Sequence, residues 1–226
     1  ADTESERLGF YSDTLVLNKN LSGIDFSAQN LNIEKPKIIN ARPFGKYFDI
    51  EFNKHVNARI LANNSDNKSF NFIPENKMRF YNSSEAYNDT TNLILSFTDS
   101  AQIEMIDTIK YYFIRSKLKS ENLTLSISPS NGLLKPQDSI VFQFNKPIRN
   151  INTDSLYIEL DSTIYQSINP NQLNFNKTRD VITYYTNNLT LFSSSRNGIN
   201  LAIKPTAFIS VENDTAETQD KYIAPI

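Results

Sequence analysis

Apolar and polar positions alternate with period two over most of this chain. In "YFDIEF" (47–52), Phe48, Ile50 and Phe52 fall on one face of an extended segment, with Asp49 and Glu51 on the other, as the alternating Cβ directions of a strand require. "SIVFQF" (139–144) aligns Ile140, Phe142 and Phe144. "NLTLSIS" (122–128) aligns Leu123, Leu125 and Ile127, and "SLYIEL" (155–160) aligns Leu156, Ile158 and Leu160. Further strands are predicted at Thr14–Leu17, Phe70–Ile73, Met78–Tyr81, Leu93–Phe97, Thr108–Ile114, Val181–Tyr185, Leu189–Phe192 and Ile199–Ile203. Asn, Asp, Ser, Gly or Pro separates most of these runs, as tight turns demand. No helical stripe is sustained; "SSEAYN" (83–88) and "SAQIEMI" (100–106) each predict at most a turn or two of helix. Short strands with frequent turn signals predict an all-β chain of antiparallel sandwiches.

Two of the runs end on the same words. Phe52-Asn53-Lys54 and Phe144-Asn145-Lys146 each close an alternating strand that follows a Pro/Gly-containing turn. Inward aromatics on such a strand anchor a sheet-to-sheet core, Asn tolerates left-handed backbone at a strand end, and Pro147 cannot donate to a ladder, so pairing stops there. Strand plus turn accounts for the motif without assigning it a site. The repeated opening predicts two tandem sandwiches, 35–116 and 117–226, joined through the charged "RSKLKSEN" (115–122). Residues 1–34 fit neither copy and read as the tail strand of a preceding small β domain, followed by a polar connector.

Composition narrows the possibilities. The 226 residues include 15 Phe and 11 Tyr, enough bulk for packed cores, and no Cys, which excludes disulfides and thiolate chemistry within this sequence. A net charge of −2 offers no basic footprint for nucleic acid or anionic lipid. No apolar run approaches the roughly 20 residues of a membrane-spanning helix. The sequence begins at Ala1 without Met, which suggests a processed chain or a segment of a longer one.

The residues "SISPSNGLLKPQDSIVFQFNKPIRNINTDSLYIEL" (126–160) resemble the opening of bacterial Ig-like domains of the Big_5 (SbsA) type, which run strand, Pro-x-(Asn/Asp)-Gly, strand, loop, strand. "INLAIKPTAFISVENDTAETQD" (199–220) is similar to the closing part of those domains, but Thr206 replaces a Gly and Ser210 stands where an Asp is usual, which weakens a calcium site or tight turn there. "DTESERLGFYSDTLVL" (2–17) resembles the end of the transthyretin/CnaB-like domain that precedes such segments in Bacteroidetes outer-membrane lipoproteins. The resemblance implies an exported protein, outer membrane-associated on the periplasmic or cell-surface face, anchored by a lipid outside this segment and lacking its flanking domains here. It also implies partners among other envelope proteins, including an outer-membrane β-barrel complex. Asp-(Ser/Thr) followed by an apolar residue or Thr recurs and resembles the O-glycosylation sequon of such proteins; it marks Thr14, Thr90, Ser100, Thr108, Ser139, Ser155, Ser162 and Thr215.

Candidate chemistry is sparse. His55 is the only histidine and follows a strand end, with no nucleophile elbow in the sequence. Five Gly leave little for phosphate-cradling loops. Asp49 and Glu51 read as alternating surface acids rather than a glycosidase pair. Asp66, Asp214 and Asp220 are the best calcium-ligand candidates, in loops that match no EF-hand. The pairs Tyr111–Tyr112 and Tyr184–Tyr185 each send one ring away from the core and offer a ligand face. The expectation is a non-catalytic structural or interaction module of a cell-envelope lipoprotein, an accessory subunit of an assembly, secretion or uptake complex, without cofactor or metal. The alternative is a carbohydrate-binding or adhesin module using exposed Tyr.

Overall fold

The structure, a computed structural model, describes residues 7–10, 27–30, 34–62, 69–73, 76–82, 87, 89–135, 138–160, 164–185 and 198–225. The chain separates into two compact units, 1–35 and 36–226. In the first, β1 (Arg7–Phe10) pairs antiparallel with β2 (Ser27–Asn30), so part of the expected polar connector is a strand.

The second unit begins with β3 (Ile38–Phe44), β4 (Tyr47–Phe52), β5 (Asn57–Ala62), β6 (Ser69–Ile73), β7 (Lys77–Tyr81), β8 (Thr91–Thr98) and β9 (Glu104–Tyr111). One sheet has the order β3-β4-β7-β6 and the facing sheet β5-β8-β9. Lettered A to G along the chain, these are the ABED and CFG sheets of an immunoglobulin-type sandwich. Phe48, Ile50 and Phe52 of β4 meet Leu93, Leu95 and Phe97 of β8 in its core, with Phe52 and Phe97 ring centroids 5.2 Å apart.

The remaining strands are β10 (Leu125–Ser128), β11 (Leu133–Leu134), β12 (Ser139–Phe144), β13 (Ile148–Ile151), β14 (Leu156–Leu160), β15 (Ile164–Ser167), β16 (Leu173–Phe175), β17 (Val181–Tyr185), β18 (Ile199–Ile203), β19 (Phe208–Ser210) and β20 (Gln219–Pro225). Sheet β10-β12-β17-β16 faces sheet β11-β20-β18-β14-β15, the same topology with an added outer strand on each side of the CFG sheet. Phe142 and Phe144 of β12 pack on Phe208, at 5.4 and 4.8 Å between centroids. The all-β, tandem Ig-like expectation therefore holds, and the two Phe-Asn-Lys copies close the same strand, B, of their sandwiches.

Among the described residues there is no α-helix. "SAQIEMI" is not helical: Ser100 and Ala101 form the turn of a hairpin, and Glu104–Ile106 open β9. The Asp99 carboxylate accepts from the Ala101 and Ile103 N–H groups at 3.0 and 3.1 Å, which fixes that turn and leaves the following residues to pair with β8. β9 also ends at Tyr111, short of the predicted Ile114. Predicted strands Thr14–Leu17 and Leu189–Phe192, and 83–86 and 88 of "SSEAYN", lie outside the described residues.

Gly132 in the turn after β10 has φ +71°, and a Cβ there would stand 2.3 Å from the Tyr222 carbonyl oxygen of β20. Its own carbonyl accepts the Ala224 N–H at 2.8 Å, tying that turn to β20. Gly132→Ala is expected to lower stability by at least about 2 kcal/mol, through left-handed strain and the forced backbone shift, in urea unfolding.

Candidate functional site at the junction of the sandwiches

Strict alternation breaks at one end of the ABED sheet of the first sandwich. Tyr47, Arg79, Tyr81 and Asn71 sit on its outer face, opposite the core residues of their strands, yet all four are buried. The cover is the second sandwich. Val211, next to β19, packs against Tyr47 and Tyr81, whose rings meet edge to face at 5.4 Å. Asn71 accepts from the Tyr81 hydroxyl (3.1 Å) and donates to the Asn145 carbonyl (3.0 Å). Arg79 makes a two-pronged bond to Asp49, both arms 2.9 Å, stacks over the Tyr47 ring at 4.4 Å, and reaches Glu121 at 3.0 Å. Burial raises the pKa of the Tyr47 and Tyr81 hydroxyls, so both remain donors at neutral pH.

Lys146 lies at the centre of this junction, with its side chain 1% exposed. Its ammonium stands 2.7 Å from Glu212 and 2.8 Å from Asp214. Glu212 also accepts from the Ser120 hydroxyl (2.7 Å) and, at 3.4 Å, from the Tyr47 hydroxyl of the first sandwich. Asp214 takes the Leu123 N–H at 2.9 Å and the Ser210 hydroxyl. Both carboxylates thus share one cation and have further donors, the condition under which a buried charge is tolerated.

The Phe-Asn-Lys words are therefore more than strand and turn. In both copies the Asn carboxamide oxygen accepts a backbone N–H from the first strand of its sandwich or the residues leading into it: Lys37 to Asn53 and Thr124 to Asn145, each 2.9 Å. Neither Asn adopts the left-handed backbone expected for it. In both copies the Lys reaches an Asp in the connection between strands F and G. Lys54 meets Asp99 at 3.1 Å, and Lys146 meets Asp214. The second copy adds Glu212 and through it the other sandwich. The signal that could have located the junction was the tyrosines, Tyr47 and Tyr81, on strand positions where the pattern calls for polar residues.

Burial would raise the Asp214 pKa, but hydrogen bonds from Lys146 and Ser210, the Lys146 charge and the Leu123 N–H outweigh it and hold the pKa below its ordinary 3.8. Burial would lower the Lys146 pKa, and its bonds to Asp214 and Glu212 raise it instead. The Asp214 contribution to stability is complete above the unfolded-state pKa and is lost as pH falls through the lower folded one. Asp214→Asn is expected to flatten that part of the acid limb, read from denaturant unfolding at a series of pH values below 3.8.

The remaining sequence candidates scatter. Tyr111 and Tyr184 are core residues, not parts of a ligand face; the Tyr184 hydroxyl is pushed up to about 12 by burial. Tyr112 packs partly against the first core, whereas Tyr185, 46% exposed, belongs to the second sandwich, so no single Tyr platform forms. Thr90, Ser100, Thr108 and Thr215 are exposed, Ser139 and Ser155 half-buried, while Thr14 and Ser162 lie outside the described residues. Of the calcium candidates, Asp214 holds Lys146, Asp220 is exposed and 3.9 Å from Lys204, and Asp66 lies outside the described residues. The turn at Ser210 is tight despite the missing Asp: Asn213, at φ 64°, donates to the Ser210 carbonyl, and the Ser210 hydroxyl accepts the Glu212 N–H. Asp49 is bound to Arg79, and Glu51 faces Lys77 at 3.9 Å. Beside the junction, Asn71, Phe72 and Arg79 of one sandwich and Glu121, Gln143 and Asn145 of the other line a cleft of about 350 Å³.

No family model matches this chain, and no curated protein matches it. Among solved structures it is similar to the N-terminal Ig1-2 module of the Drosophila receptor protein tyrosine phosphatase DLAR, at 9% identity and a TM-score of 0.25 over 85% of this chain and 100% of that one. It is also similar to a chain of the complex of Dpr2 Ig1-Ig2 with DIP-Theta Ig1-Ig3, at 9% identity and a TM-score of 0.24 over 85% and 99%. A titin A168169 structure matches at 9% identity and a TM-score of 0.24 over 85% and 98%. The Ig-like fold rests on the strand order of each sandwich, to which these likenesses add no weight.

Proposed function

We propose that this chain is a non-catalytic structural and interaction module whose two sandwiches, 35–116 and 117–226, act as tandem domains locked into one rigid body. The observation that carries the reading is the Lys146 junction, in which residues of both sandwiches share buried polar contacts. Interfaces between domains of one chain are commonly loose; opening this one would strip Arg79 of Glu121, Asn71 of the Asn145 carbonyl and Glu212 of the Tyr47 hydroxyl, leaving buried polar groups without these partners. Rigid presentation of loops and sheet edges to a protein partner is the mechanism such an object offers. The resemblance at 126–160 supports placing it in an exported, lipid-anchored envelope protein of Bacteroidetes type, as an accessory subunit of an outer-membrane complex, with the exposed Asp-(Ser/Thr) positions as sites of O-glycosylation. Cross-linking in intact cells followed by native purification from the envelope tests the reading: a co-purifying envelope protein supports it, and recovery as a free, unlinked single chain overturns it.

A further inference from the structure

The edge beyond strand G differs between the two sandwiches. In the second, β20 is flanked by β11, which pairs with it in parallel. In the first, β9 is the outermost strand of its sheet, with β8 as its neighbour on one side. It pairs with β8 without a bulge over all eight residues and contains no proline, and among the described residues no strand pairs with its other edge, which is a straight row of backbone donors and acceptors. Asp99 donates its N–H to the Ile103 carbonyl, which sets the odd-numbered positions toward β8. Glu104, Ile106, Thr108 and Lys110 therefore turn their backbone groups to the open edge. One of these is stopped: the Asp107 carboxylate folds back onto the Thr108 N–H at 2.7 Å.

We propose that β9 is a self-pairing edge held shut by Asp107, and that the partner it fits is a second copy of this chain docked antiparallel along β9. With the two-fold axis at Asp107, Glu104, which in the single chain already meets Arg59 at 3.0 Å and the Ser96 hydroxyl, also faces Lys110 of the second copy, and Lys110 faces its Glu104. That charge match occurs twice, on the same outer face as Ile106, which is 61% exposed and would be covered by Thr108 of the copy. The same register sets Asp107 against Asp107, a like-charge pair at the axis, while the carboxylate also occupies the Thr108 donor that the copy needs. Both effects oppose pairing in the chain as it stands.

Sedimentation velocity over a concentration series reaching the millimolar range tests this. The unaltered chain is expected to remain a single chain, and Asp107→Thr, a strand-compatible change at an exposed position, to shift to the mass of two. Thr108→Pro added to Asp107→Thr is expected to restore the single chain, because the Thr108 N–H is not part of the β8 ladder and a proline ring there blocks the edge. Lys110→Glu in the Asp107→Thr background is expected to move the dimer midpoint at least tenfold higher in concentration. A single-chain Asp107→Thr, or a double variant that dimerises equally well, overturns the proposal.

Discussion

Lys146→Met is expected to destabilise the protein by about 3 kcal/mol, the lower part of the range for removing one partner of a buried ion pair. Methionine keeps the volume and apolar stem, so the loss isolates the charge. Glu212 and Asp214 would be left facing each other, with Tyr47, Ser120, Ser210 and Leu123 as remaining donors. Asp214 is one-third exposed, and water reaching it moderates the cost. Urea unfolding of Lys146→Met and of the triple variant with Glu212→Gln and Asp214→Asn gives the check: neutralising both carboxylates should recover part of the loss. A Lys146→Met protein as stable as the parent would show that the ammonium contributes nothing. Small-angle scattering gives a second readout, since a loosened junction should broaden the distribution of distances between the two sandwiches.

The second large effect is expected in the cores. Phe52→Ala and Phe144→Ala should each cost about 3–5 kcal/mol, the sum of lost transfer energy and the cavity left behind. Both rings are almost fully buried, Phe52 against Phe97 and Phe144 against Phe208. Phe144 lies directly before Asn145 and Lys146, so its loss should also disturb the junction, whereas Phe52 should act on the first core. Unfolding followed by near-ultraviolet signals from each sandwich should show Phe52→Ala weakening the first transition and Phe144→Ala shifting both together. Equal and independent shifts would mean that the junction transmits nothing between the cores.

Much of the architecture was legible in the sequence because strand periodicity is local. Phe48, Ile50 and Phe52, like Ile140, Phe142 and Phe144, point inward because alternate Cβ atoms must, and a sheet with one apolar face must cover it. The sequence also marked the repeated Phe-Asn-Lys, since a strand end needs polar closure. It missed β2, β5, β11, β13, β15, β16, β19 and β20, whose short or mixed runs carry too few alternations to stand out. It also read a helical turn at 100–106, where the reach of Asp99 to Ala101 and Ile103 decides otherwise.

Which polar residues matter was decided by tertiary structure. Lys54 and Lys146 follow the same two residues, and both find an aspartate in the F–G connection. Yet Asp99 and Asp214 are distant in sequence from them, and no periodicity links such pairs. Tyr47 and Tyr81 occupy outward strand positions and are buried because a second sandwich lies on top of them, a fact of packing between cores. Asp107 reads in sequence as the Asp of one more Asp-(Ser/Thr) match, the one that marks Thr108. Only the open edge of β9, set against the covered edge of β20, gives it a role. The sequence by itself determined that the chain is all-β, repeats one sandwich opening and buries the phenylalanines of that repeated strand, because those follow from short-range alternation and the hydrophobic effect. Where the two sandwiches meet, and which polar residues join them, depends on contacts between residues far apart along the chain, which only the folded backbone brings together.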